Sequence, residues 1–179
     1  DSVGVAQFRH RSNPKNLKQY HTDNPFITGE TAISAHRSGA GEFPEETLAA
    51  FRGCAENPQL QVDYFEFDLH MTADNILVLS HDATLDRVSD AVTVFGAENV
   101  LIRDRTLPEL KELNMAAQFV SAAGETPYAD LHGDAVPDEL RILSLDEVLD
   151  YLTSAGDYRY IIEIKDGGEA GLSAAEQLY

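Results

Sequence analysis

The sequence predicts an α/β fold and, within that class, the N-terminal part of a (β/α) barrel. Three observations carry the prediction. Short apolar strand patterns alternate with amphipathic helix patterns. The strand patterns carry charged or imidazole side chains toward their ends, as barrel strands do on the face where active sites lie. The chain has 179 residues and shows about four strand patterns, whereas a closed eight-stranded barrel takes about 250 residues.

Residues 1–30 are polar and irregular, with turn signals at Asn13-Pro14 and Asn24-Pro25, and form an arm outside the core. Residues 31–179 make the barrel-type domain. Thr31 to His36 is a strand running into His36-Arg37, followed by a glycine-containing loop from Ser38 to Glu42. A helix runs from about Glu46 to Glu56, with Leu48, Phe51 and Cys54 on its apolar stripe, and Asn57-Pro58 ends it. Val62 to Leu69 is the second strand and Ile76 to Ser80 the third, joined through a turn at Asp74-Asn75.

Residues 83–140 break the alternation. Thr106-Leu107-Pro108-Glu109 is a capping box opening a short helix to about Leu113. Residues 114–140 mix Gly, Pro, Asp and Ala and read as an inserted loop region. A second capping box, Ser144 to Glu147, opens a helix with Leu145, Val148, Leu149 and Leu152 inward, and Gly156 closes it. Tyr160 to Lys165 is the fourth strand, and a further helix begins near Ser173.

Charge narrows the partners. The chain holds 31 acids against 13 bases, a formal net charge of −18. That balance excludes a nucleic-acid footprint and disfavours docking on anionic membranes. It leaves room for a small anionic substrate held by a few cations. No apolar run approaches the ~20 residues of a spanning helix. The single cysteine, Cys54, has no disulfide partner within the chain and sits on a helix stripe, where a buried small hydrophobe is expected rather than a nucleophile. The chain begins at Asp1 without a methionine or a visible signal-peptide core. A removed export signal is one explanation, favouring a periplasmic or secreted location over a cytoplasmic one. Oligomeric state is not legible.

The chemistry concentrates between Tyr64 and Arg87. Glu66 and Asp68, two apart on a strand, share one face, while Phe65, Phe67 and Leu69 take the other. A hairpin-like connection later come His81 and Asp82. With His36-Arg37 and Glu163-Ile164-Lys165, these motifs stand near the ends of the predicted strands, which converge on one face of a barrel. Glu66, Asp68 and Glu163 offer three oxygen ligands suited to one divalent cation, Ca²⁺ or Mg²⁺. Zinc is disfavoured, because no Cys/His ligand spacing accompanies them. Arg37 and Lys165 supply positive charge for a phosphate, and His36 and His81 supply two proton carriers. His70 shares the parity of Asp68 and is a candidate neighbour of the site. Asp82 is expected to orient His81 or a loop. Glu45 is expected to act at the helix N-terminus, with some outer contribution to the site. His10, His21 and His132 are expected at the surface.

The segments AHRSGAGEFPEETLAAF, EFDLHMTADNILVLSHDATLDR, TLPELKEL, LSLDEVLDYL and IIEIK occur in this order. Together they resemble the glycerophosphodiester phosphodiesterase family, from about Ala32 to Lys165. The resemblance implies a TIM-type barrel with a small inserted subdomain after the third strand, the place that residues 83–140 occupy. It implies hydrolysis of glycerophosphodiesters to glycerol 3-phosphate and an alcohol. Glu66, Asp68 and Glu163 would ligate the metal, His36 and His81 would be the acid–base pair, and Arg37 and Lys165 would bind the phosphate. The chain departs from the usual pattern at Ser38, where Gly is usual, at Glu46, where Asn is usual, and at Asn75, where Gly is usual. The alternatives are a sphingomyelinase D or phospholipase D-like relative on the same fold, and a non-catalytic partial-barrel fragment.

Overall fold

The sheet is built on β2, Tyr64–Met71, to which every other strand of the described residues hydrogen-bonds. The computed structural model describes residues 32–178; the arm expected over residues 1–30 lies outside the described residues. One edge of β2 pairs in parallel with β4, Arg159–Ile164, from Tyr64 opposite Arg159 to Leu69 opposite Ile164. The other edge is shared. Its first residues pair in parallel with β1, Ser34–Ala35, and its last three pair antiparallel with β3, Leu77–Leu79. The protein is thus an α/β structure with a parallel β1–β2–β4 sheet and one antiparallel hairpin strand. The prediction of strand ends converging together holds for β1, β2 and β4 but not for β3. The tight turn through Asn75, which adopts a left-handed φ of 60°, folds β3 back against β2.

Alternation places the core. Phe65, Phe67 and Leu69 are fully buried on one face of β2. The helix α1, Leu48–Glu56, covers them with Phe51, whose ring lies 5.2 Å from Phe65 and 5.8 Å from Phe67. Tyr158 and Tyr160 close the same layer against Phe65 and Phe67. The helix α1 begins at Leu48, two residues later than its sequence suggests. Glu46 sits at φ 56°, outside the helical region, and Thr47 is the N-cap, its side chain accepting from the Ala50 N–H.

Residues 83–140 carry little regular structure: α2, Ala91–Phe95, α3, Leu107–Leu110, and three short 3₁₀ turns. The Thr106–Glu109 capping box forms, but its helix stops at Leu110 rather than Leu113. One buried side chain organises much of the segment beyond that helix. Asn114 donates both amide hydrogens to the carbonyls of Tyr128 and Leu131, and its Oδ1 accepts from the Ala116 N–H. Its own N–H donates to Asp90. Backbone groups that no helix or strand satisfies are thereby paired. Around this hub Ala116, Val136 and Leu140 bury themselves, apart from the cluster of Leu85, Ile102, Leu110, Leu113 and Ile142.

The Ser144–Glu147 box opens α4, Leu145–Ala155, with Leu145, Val148 and Leu152 buried and Gly156 bonding back to Leu152. The last helix, α5, spans Gly168–Leu178 and starts earlier than Ser173. None of the described helices is long and apolar enough to cross a membrane.

Phe51→Ala removes a ring packed against two others, and unfolding in urea should show a loss of about 3–5 kcal/mol. Glu147 gives a pH-dependent test. Partial burial pushes its carboxyl up, but hydrogen bonds from Lys111 and Ser144 outweigh this and hold it below its ordinary 4.5. A lowered folded value contributes stability that is present above the unfolded value and lost as the pH falls through the folded one. Glu147→Gln should therefore lower the urea midpoint at about pH 7 and leave it unchanged near about pH 2.

Candidate active site

Glu66, Asp68 and His70 alternate along the face of β2 opposite the phenylalanines. Register then brings in the fourth strand, because Glu163 of β4 is the partner of Asp68. One carboxylate oxygen from each of Glu66, Asp68 and Glu163 lies within 4.8 Å of the others. Lys165 comes directly after β4, its N–H bonded to the Leu69 carbonyl, and its Nζ lies 3.2 Å from Asp68 Oδ1 and 3.1 Å from Glu163 Oε1. The hydrogen bond from Lys165 holds the Glu163 carboxyl below its ordinary value. Desolvation opposes the ammonium form of Lys165, but Glu163 and Asp68 outweigh it and raise that group.

Asp68 is the buried member of the trio, 1% exposed, and neither of its carboxylate oxygens accepts a hydrogen bond among the described residues. The Lys165 ammonium faces Oδ1 as an ion pair only. Two orphaned carboxylate oxygens beside two further carboxylates form an all-oxygen donor set that fits a hard divalent cation.

The His36-Arg37 pair stands on a tight turn directly after β1, packed against β2. Arg37, Ser38 and Gly39 take φ values of 46°, 62° and 110° in succession. This turn aims the Arg37 N–H at Glu66 Oε2, 2.6 Å away. Gly39 is required: a Cβ there would meet the Cys54 sulfur at 2.5 Å. Ser38 adopts a conformation that costs a side-chain-bearing residue about 1–2 kcal/mol, and its hydroxyl is buried without a hydrogen bond. His36 itself is exposed, and its imidazole makes no hydrogen bond or ion pair among the described residues.

His81 reaches the same region by a different route. The Ser80 N–H bonds the Asp68 carbonyl at 3.0 Å, so the residue after it leaves β3 beside the acids. Its Nδ1 lies 2.7 Å from Asp82 Oδ1, as expected of an orienting aspartate. A protonated His81 acts on Glu163, favouring its ionised form. Partial burial pushes the Asp82 carboxyl up, but hydrogen bonds from His81 and Arg87 outweigh it and hold Asp82 below its ordinary value.

Three residues near the site stand where the sequence does not put them. Glu45 does not act at the helix N-terminus: the helix starts at Leu48, and Glu45 instead pairs with Arg87 and faces Arg37 at 3.6 Å. Glu46 carries no site signal in the sequence beyond its place where the family pattern has Asn, yet it is buried and its Oε1 accepts the Asp68 N–H at 2.8 Å. Burial raises its carboxyl well above the ordinary value, and the charge of Asp68 adds to this. Asp166 is the third, and no sequence pattern points to it. It takes the His70 Nδ1 at 2.9 Å and the Met71 N–H at 2.6 Å, tying the exits of β2 and β4 together. His70 is thus held beside the site by a carboxylate. His132 is exposed, as expected, whereas His10 and His21 lie outside the described residues. Cys54 is buried, which pushes its thiol up to about 12, so it is a packing residue and not a thiolate.

The profile of the glycerophosphoryl diester phosphodiesterase family matches residues 36–177. The chain belongs to this family. It is 31% identical over 138 residues to a glycerophosphodiester phosphodiesterase of Caldanaerobacter subterraneus, covering 77% of this chain and 46% of that one. It is 30% identical over 124 residues to the Bacillus subtilis glycerophosphodiester phosphodiesterase, covering 69% of this chain and 37% of that one. Among solved structures, the Agrobacterium tumefaciens glycerophosphodiester phosphodiesterase shares the fold with a TM-score of 0.58 at 26% identity. That match covers 83% of this chain and 53% of that one. The chain therefore spans less than half the length of these two curated relatives. Of the motifs that carry the family resemblance, this fold gathers near Asp68 the Arg37 turn, Glu66, the exit to His81, Glu163 and Lys165.

The carboxylate trio makes a direct prediction. Mg²⁺ or Ca²⁺ at about 100 times its dissociation constant should stabilise the chain by about 2.7 kcal/mol, seen as a rise in melting temperature that a chelator reverses. Asp68→Asn and Glu163→Gln should each abolish most of that rise. An equal rise in both variants would place the ion elsewhere.

Proposed function

We propose that this chain carries the metal-binding and acid–base groups of a glycerophosphodiester phosphodiesterase, on the N-terminal part of a TIM-type barrel with residues 83–140 as an inserted subdomain. The observation that supports it best is the meeting of Glu66, Asp68, Glu163 and Lys165 on one sheet face, beside the turn of Arg37 and the exit to His81. The substrate class comes from the family to which the chain belongs and from the names of its relatives.

In this reading Glu66, Asp68 and Glu163 hold one Ca²⁺ or Mg²⁺, which when bound supplies charge stabilisation for the phosphoryl oxygens. Arg37 and Lys165 bind the phosphodiester anion and keep it against the trio. His36 and His81 move the protons. One takes the proton of the attacking hydroxyl, either water or the substrate's own glycerol hydroxyl, and the other protonates the departing alcohol oxygen. In either case the bond broken first is the one between phosphorus and the head-group oxygen, which frees the alcohol: attack by water leaves glycerol 3-phosphate directly, whereas attack by the glycerol hydroxyl leaves a cyclic glycerophosphate that a water must then open to glycerol 3-phosphate. His81 enters this step oriented: its Nδ1 faces Asp82, and Nε2 is left for proton transfer.

The chain with Mg²⁺ or Ca²⁺ should release glycerol 3-phosphate from glycerophosphocholine, measured by a coupled dehydrogenase assay. His36→Ala and His81→Ala should each lower kcat by about 10²–10⁴-fold; full activity in either variant removes that histidine from the mechanism. Cleavage of sphingomyelin or lysophosphatidylcholine in place of glycerophosphocholine selects the sphingomyelinase D-like alternative. A chain that binds the cation and cleaves none of these is the non-catalytic fragment.

A further inference from the structure

An unbroken line of charged side chains joins the two loops of the site. Arg37 faces Glu45 at 3.6 Å. Glu45 receives Arg87 in two parallel hydrogen bonds, Nη1 to Oε2 at 2.9 Å and Nη2 to Oε1 at 2.6 Å. Arg87 Nε donates to Asp82 Oδ2 at 2.5 Å, and Asp82 Oδ1 takes His81 Nδ1 at 2.7 Å. The guanidinium is planar, and its fork is matched to the two carboxylates it holds apart. Its backbone is anchored as well. Leu85 is buried, Val88 packs against the same cluster, and Ser89 bonds back to Leu85 through both its N–H and its hydroxyl.

We propose that Arg87 is a positioning residue that fixes the tautomer of His81 by holding Asp82 in place. The step rests on valence. An ionised carboxylate only accepts hydrogen bonds, so His81 must carry its proton on Nδ1 to bond Asp82. In the neutral ring this leaves the lone pair on Nε2, the form a proton acceptor needs. Asp82 is only partly buried and has side-chain rotamers to explore. Arg87 bonds the oxygen that His81 does not use and removes that freedom. Because the other end of Arg87 grips Glu45, the same residue also keeps that carboxylate from closing fully on Arg37. One guanidinium thus sets the orientation of a proton carrier and limits the neutralisation of a phosphate-binding cation. These roles as proton carrier and phosphate cation rest on the proposed function; the tautomer itself does not.

The test reads the ring directly. Long-range ¹⁵N–¹H correlation spectra should show neutral His81 protonated on Nδ1 in the wild-type chain. In Arg87→Met the Nε2-protonated form should take over as the main species, and Arg87→Lys should lie between the two. Arg52→Met, which removes an exposed ion pair with Glu139 on another element, should leave the His81 signals unchanged. On glycerophosphocholine, Arg87→Met should lose about 10–100-fold in activity, by analogy with the loss of hydrogen-bond partners that orient metal-ligating histidines, with most of the loss in kcat. Unchanged tautomers in folded Arg87→Met, or an Nε2-protonated His81 in the wild type, overturn the proposal. A wild-type chain that cleaves no glycerophosphodiester but shows the tautomer shift overturns the function and leaves the role of Arg87 standing.

Discussion

The period-two alternation of β2 is the constraint on which the site and the core both depend. Phe65, Phe67 and Leu69 cannot be buried unless Glu66, Asp68 and His70 face the other way. A slip of one residue in register would put two acids and an imidazole into the aromatic core and three apolar side chains into the site. The penalty for burying those charges unpaired is several kcal/mol each, so the core packing of Phe51 against Phe65 and Phe67 also enforces the geometry of the acids. The ladder then carries that geometry outward. Glu163 lies opposite Asp68 because of the β2–β4 register, and His81 emerges beside the acids because Ser80 bonds the Asp68 carbonyl.

Concentrating carboxylates in this way creates an electrostatic problem that the chain answers locally. Asp68 is nearly inaccessible, and Glu46 is buried against its main-chain N–H. Only one ammonium, Lys165, reaches Asp68 among the described residues, while Glu66 is met by the Arg37 N–H. Glu46 responds by favouring its neutral form, which burial and the neighbouring Asp68 both promote. That shift makes a neutral Glu46 easier to reach, while its Oε1 still accepts the strand N–H. The Asn usual at this position in the family pattern is neutral by composition; here a carboxyl approaches the same state through its environment.

Much of this was legible because it is local or periodic. The alternation of β2, the Thr106 and Ser144 capping boxes and the apolar stripe of α4 are read within a few residues, and the structure reproduces them. The trio of acids was legible because strand parity fixes faces and the family motifs named the partner strand. What sequence could not show depends on contacts remote along the chain or on unusual backbone. The left-handed φ of Glu46 delays α1 and turns that side chain inward. Asp166 meets His70 across 96 residues of sequence. The hairpin-like connection to β3 was legible, but the end of β3 does not converge with those of β1, β2 and β4, because β3 runs antiparallel and reaches the acids through a carbonyl-to-amide link. Glu45 has no periodic signal that points to Arg87, 42 residues on.

Two kinds of restraint therefore meet in one site, and they differ in physical character. Glu66, Asp68 and Glu163 stand on strands fixed by backbone ladders, which salt does not screen. The loops that carry Arg37 and His81 are joined through side-chain charges that are partly exposed: Arg87 is 47% exposed and Asp82 34%. Exposed ion pairs are individually weak and weaken further with ionic strength. Their strength here comes from connection, since Glu45, Arg87 and Asp82 are each held at both ends and lose less freedom per bond than an isolated pair. The carboxylate geometry should consequently tolerate conditions that loosen the loops. Under the proposed function, the orientation of His81 then depends on the ionic line through Arg87 rather than on the sheet.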